Sequence, residues 1–156
     1  MKLHHMCLVT TDLEQSIKFW TTILGFRLQV KAELPDGSDS RPNALCTPTL
    51  LNDAFGCKNA RSRMAVLTSE DDGTFIEIQE PINPRAKATP RDKLKYRDTG
   101  IRELGLLVTN IDEMFEKVRA EGLVTQTDYV WPAPPNSRSF IFYDYDGNMI
   151  QLWQSS

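Results

Sequence analysis

Apolar positions along this chain follow two periods, and the switches between them mark its elements. Leu13, Ile17, Trp20 and Leu24 stand three or four residues apart, which places them on one face of a helix that Gly25 ends. Ile111, Met114, Phe115 and Val118 repeat that stripe, and Gly122 ends it. Asp12 or Thr11 is placed to cap the first helix, with Glu14 and Gln15 positioned for a capping box; Asn110 with Glu113 repeats the device. Before each helix the period is two, in 5–9 and 101–108, as in a strand with one covered face. After each helix the sequence predicts a strand (26–31 and 123–127), a loop, and two strands joined by a turn. These are 63–68 with 74–80 across SEDDG, and 137–143 with 148–153 across DYDG, both turns carrying the Asp-Gly hairpin signal.

The chain therefore reads as one βαβββ unit used twice. His5 aligns with Glu103, Val9 with Leu107, Asp12 with Asn110 and Leu13 with Ile111, all at an offset of 98. The first module covers about 1–81, the second about 100–156, within a single domain. From His5 to Glu77 is 72 residues and from Glu103 to Gln151 is 48, so the first module holds 24 more, assigned to an insertion within 34–60. That insertion opens on PDGSDSRPN, a loop by composition, and continues into TLLNDAFG, a candidate short helix. The linker 82–99 is interrupted by proline and rich in basic residues. It is either a solvated connection or a contact for an anionic substrate or a second subunit.

Composition narrows the classes. The 156 residues are 40% hydrophobic and 25% charged with a net charge of -3, so disorder and general attraction to nucleic acid or anionic lipid are not expected. No apolar run suits a signal peptide or a membrane span, and Cys7, Cys46 and Cys57 are odd in number without CxxC spacing. A reducing, cytoplasmic location is the expectation, with the cysteines as core or pocket lining.

Strand parity singles out candidate chemistry. If Met6, Leu8, Ile76, Ile78, Leu104, Leu106, Ile150 and Leu152 turn toward the helices, then His5, Glu77, Glu103 and Gln151 share the other face. One imidazole, two carboxylates and an amide offer a divalent cation one nitrogen and three oxygens without sulfur, a set that suits Mg, Mn, Zn, Ni or Co. The bland alternative leaves each group facing solvent on an open sheet. Around the quartet, Cys7, Phe75, Trp131, Phe140, Phe142, Met149 and Trp153 are expected to form an aromatic, apolar pocket. The loop WPAPPN would wall it, and Arg61, Arg63 or Arg138 would either bind an anionic substituent or lie on the surface.

The paired layout, HMCLVTTDLEQSIKFWTTILGF, GTFIEIQEP and FYDYDGNMIQLW resemble the vicinal oxygen chelate superfamily, which includes glyoxalase I, methylmalonyl-CoA epimerase, extradiol dioxygenases and the fosfomycin- and bleomycin-resistance proteins. The resemblance implies an α+β fold in which paired βαβββ modules form a partly open mixed β-barrel around a divalent metal, usually in a homodimer. It implies His5, Glu77, Glu103 and Gln151 as ligands. Here Glu103 stands where relatives usually have His, and Gln151 where they usually have Glu, which argues against ring cleavage at iron. The implied activity is that of a metal-dependent lyase, isomerase or epimerase acting on a small carbonyl compound, with an enolate-type intermediate and Glu103 or Glu77 as base. The alternatives are a metal-free protein that sequesters an aromatic small molecule and a metal-independent enzyme using Glu103 and His5 as an acid-base pair.

Overall fold

A computed structural model describes residues 3–40, 43–70, 73–97 and 99–155. It resolves into two compact units, Met1–Ala88 and Thr89–Ser156, dividing within the basic linker.

In the first unit β1 (His5–Val9) leads into α1 (Leu13–Lys18), whose last turn widens into a π-helical segment over Phe19–Ile23. Then come β2 (Arg27–Leu34), α2 (Pro48–Phe55), β3 (Arg61–Thr68) and β4 (Phe75–Asn83). The sheet order is β1-β4-β3-β2, with β1 parallel to β4 and the other pairs antiparallel. In the second unit a short 3-10 turn at Arg91–Lys93 precedes β5 (Glu103–Leu107), α3 (Ile111–Ala120), β6 (Trp131–Ala133), β7 (Ser137–Tyr143) and β8 (Met149–Gln154). Its order, β5-β8-β7-β6, reproduces the first sheet.

The duplication holds at single-residue register. His5 lies opposite Phe75 and Cys7 opposite Glu77; Glu103 lies opposite Met149 and Gly105 opposite Gln151. The two helix-covered faces hold most of the core. Leu13, Phe19 and Trp20 are buried with Ala65, Leu67, Ile76 and Ile78 in one unit, and Ile111, Phe115 and Val118 with Phe140, Phe142, Ile150 and Leu152 in the other. Edge-to-face pairs with centroids 5.0 Å apart, Trp20 on Phe26 and Phe115 on Phe140, seat each helix.

Two local expectations are corrected. The predicted strand 123–127 is reduced to one bridge between Thr125 and Phe142, and the sheet's outer strand is β6. The Thr127 hydroxyl donates to the Tyr129 carbonyl at 2.7 Å, a local turn that competes with continued pairing. Asn110 does not cap α3: its Nδ2 donates to Glu113, and the Ile111 N–H is taken by the Gln154 side chain. Asp12 caps α1 as the sequence suggests, accepting from the Gln15 N–H at 3.1 Å.

The insertion is an ordered structure. Thr47 caps α2, Pro48 occupies its first turn, and Gly56 ends it with φ +62°. Leu51 packs with Leu34, Ala60 and Met64, and with Ala32, Cys46, Phe55, Cys57 and Val66 around them. Val66 lies opposite Glu77 and Met64 opposite Gln79. The insertion thus covers part of the sheet face that carries Glu77.

Candidate metal-binding and catalytic face

In the first unit, alternation along β1 and β4 turns His5, Cys7, Phe75, Glu77 and Gln79 away from α1. His5 Nε2 stands 3.8 Å from Glu77 Oε2, both side chains partly exposed. His5 Nδ1 lies 2.7 Å from His4 Nδ1, and the His4 ring stacks edge-on to Phe75. The other Glu77 oxygen, Oε1, accepts from the Cys7 thiol at 3.7 Å and from Gln79 Nε2 at 2.9 Å. Gln79 Oε1 in turn accepts from the buried Ser62 hydroxyl at 2.5 Å. Burial and the adjacent Glu77 carboxylate push the Cys7 thiol up to about 12, so it is a protonated donor at neutral pH. Burial raises Cys46 too, with Asp36 and Glu77 adding to it.

In the second unit, Glu103 and Gln151 take the positions of His5 and Glu77, and Gly105 takes that of Cys7. A Cβ at Gly105 would meet Gln151 Oε1 at 3.9 Å, so the amide reaches across toward β5. Glu103 Oε2 accepts from the Tyr96 hydroxyl, which comes from the linker. Burial, then this hydrogen bond, raises the Tyr96 phenol above its ordinary value. Trp131 and Trp153 flank Ser139 from either side, on the same face as Gln151.

The structure thus joins His5 to Glu77 and sets Glu103 and Gln151 at the matching register. Cys7, Phe75, Trp131, Met149 and Trp153 share those faces, Met149 as a buried residue opposite Glu103. Phe140 and Phe142 do not line the pocket. They lie opposite Leu152 and Ile150, fully buried on the side of α3, because alternation in β7 gives the other face to Ser139, Ile141 and Tyr143. Arg63 is bound to Glu80 and Arg138 to Asp112, two bonds each, and Arg61 lies 3.8 Å from Glu33. These arginines are structural or surface groups, one of the two readings the sequence left open. Sequence reasoning missed Gln79 and Ser62 as supports of Glu77, although Gln79 follows it by two positions. Tyr96 it could not reach, since a linker carries no periodicity. Among the described residues no three His, Cys, Asp or Glu side chains form a group fit to hold a metal ion by themselves.

The family model described as Glyoxalase/Bleomycin resistance protein/Dioxygenase superfamily matches residues 2–152, and the chain belongs to this family. Solved structures agree on the fold. A glyoxalase family protein from Bacillus cereus is 18% identical with a TM-score of 0.80, over 99% of this chain and 93% of its own. A glyoxylase/bleomycin resistance protein/dioxygenase domain from Frankia is 15% identical with a TM-score of 0.68, over 100% and 93%. The fosfomycin resistance protein FosX from Listeria monocytogenes, solved with Mn(II) and sulfate, is 16% identical with a TM-score of 0.60, over 99% and 93%. No curated protein matches the chain.

Proposed function

We propose that this protein is a metal-dependent enzyme, a lyase, isomerase or epimerase acting on a small carbonyl compound, with His5, Glu77, Glu103 and Gln151 as the ligands of one divalent ion. The observation that carries the reading is the repeated register: the His5–Glu77 pair recurs as Glu103 and Gln151 at equivalent positions in the second sheet. The donors fit such an ion. His5 Nε2 and Glu77 Oε2 stand 3.8 Å apart, a nitrogen and an oxygen that one ion could bridge, and the other oxygen of Glu77 is already held by Gln79 and Cys7. The FosX structures solved with Mn(II) support divalent-metal use within the family.

A bound divalent ion supplies Lewis-acid polarisation of a substrate oxygen. Glu103 takes the proton from the carbon beside the carbonyl; it is held by one donor, the Tyr96 phenol, whereas Glu77 is tied at Oε1 by two. Gln151 orients, since a neutral amide cannot take up a proton at neutral pH. The insertion packed on the Glu77 face restricts access from that side, so substrate choice rests in part on α2. We place this enzyme in the cytoplasm, on its three cysteines without disulfide spacing, and as a homodimer, on the resemblance to its family.

Elemental analysis of the purified protein, then chelation and metal add-back, tests the reading. One ion per chain, lost in E77Q and E103Q, is the expected result; full activity without metal would overturn it. Trp131 and Trp153, set across the sheet beside Gln151, favour a second reading, capture of an aromatic small molecule without turnover. That reading requires affinity unchanged when Glu77 and Glu103 are both replaced by Gln.

A further inference from the structure

The linker is not a loose connection. Its 3-10 turn lays Leu94 against the β7–β8 turn at Gly147, where a Cβ would meet Leu94 Cδ1 at 2.9 Å, and Gly147 has φ +89°. That backbone conformation favours glycine, and any Cβ there would push the Leu94 side chain aside. Arg102 also holds the segment, its guanidinium donating to the Lys93 carbonyl at 3.1 Å. Between this strap and the second module lies a cavity of about 200 Å³.

The lining of that cavity has a distinct chemistry. Leu94, Leu123 and Val124 make it apolar, Tyr143 offers a ring, and Arg91 and Lys95 stand at it as cations. Lys95 Nζ sits 5.9 Å from the Tyr143 ring centroid, and among the described residues neither Arg91 nor Lys95 forms an ion pair with a carboxylate. The one buried carboxylate in the lining, Asp144, is occupied: Oδ1 accepts from the Asn148 N–H at 2.7 Å and Oδ2 from Asn148 Nδ2 at 2.9 Å. Burial also drives Asp144 toward its neutral form. Two cations beside an apolar lining favour an anion with an apolar body. A cavity smaller than the roughly 300 Å³ of the smallest drug-sized sites limits that body to about one ring.

We propose that this cavity is a binding site for a small carboxylate with a flat or branched apolar body, the carboxylate held by Arg91 and Lys95 and the body by Leu94, Leu123 and Val124. The site lies wholly within the second unit and does not depend on the metal reading.

Benzoate and its neutral analogue benzamide are the probes, titrated into chelator-treated protein while backbone amide resonances of 91–96, 122–124 and 143–147 are followed by NMR. Chelation removes direct coordination to a metal as a source of the signal, so this result and that of the metal analysis stand apart. Benzoate is expected to shift these resonances with a Kd that rises with added salt, and to bind about tenfold or more tightly than benzamide. R91Q/K95Q is expected to abolish that preference. Because both side chains sit on an exposed segment, the salt dependence in the unaltered protein gives a second readout if the variant folds poorly. Equal binding of the two probes, no shifts with benzoate, or a preference that survives in the variant would each overturn the proposal.

Discussion

The Glu80 carboxylate accepts the first N–H of α1, that of Leu13, at 3.2 Å, and Gln154 does the same for Ile111 at the start of α3, at 2.9 Å. The last strand of each module thus anchors the helix that covers it, with one orphan donor of each helix satisfied by a side chain from an interior strand. The two anchors differ in charge. Glu80 also takes Arg63 Nε and Nη2, whereas the neutral Gln154 leaves Arg138 to bind Asp112.

This difference predicts an ordering of stabilities. E80A strands the Leu13 N–H and takes two bonds from Arg63, which keeps only Glu14 at 4.0 Å, and should cost about 2 kcal/mol, while Q154A loses the anchor alone at about 1 kcal/mol. E80Q keeps an acceptor for Leu13 and should fall between E80A and wild type. Urea unfolding of the three variants checks the order.

Phe140 separates a core role from a pocket role. With its ring buried against Phe115, F140A should lose about 3–5 kcal/mol of stability. W153A, from the opposite face of the sheet, should cost less and alter ligand binding instead. Denaturation curves and ligand titrations on both variants distinguish the two faces.

The Cys7 thiol, raised to about 12 against an ordinary 9.0, should resist alkylation in the folded protein. Three units correspond to about a thousandfold less thiolate near pH 8. Iodoacetamide labelling followed by mass spectrometry should show Cys7 protected when folded and labelled in urea. E77Q removes the neighbouring negative charge while keeping an acceptor oxygen, so the thiol pKa falls part of the way and labelling quickens.

Arg138 holds Asp112 below the usual carboxylate range. A depressed folded-state value means the contribution is present above the unfolded pKa and is lost as pH falls through the folded one. The melting-temperature gap between wild type and R138Q should therefore be open near pH 6 and close below about pH 4. Both groups are exposed, so the gap is small and shrinks with salt.

The stripes Leu13–Leu24 and Ile111–Val118 became α1 with its π-helical extension and α3 because each offers one continuous apolar face that a sheet can cover. Parity placed His5, Glu77, Glu103 and Gln151 away from the helices for the same reason: alternation in a half-covered strand is a local property of the chain. The same rule, once the β7–β8 register is known, moves Phe140 and Phe142 into the core. Register is a pairing between strands, and a one-residue slip exchanges the faces, so composition alone could not decide it. Tyr96 on Glu103 and Leu94 on Gly147 come from a segment with no period at all.

By itself, then, the order of residues determined the doubled βαβββ plan, the helix stripes and the polar side of the strands nearest the helices. These depend on interactions among neighbours a few positions apart. The tertiary structure decided which donors secure Glu77, where the insertion lies, how the strap builds a cationic cavity, and which aromatic residues fill the core. Those outcomes depend on side chains from distant segments competing for the same space and the same hydrogen-bonding groups, and only the packed chain resolves that competition.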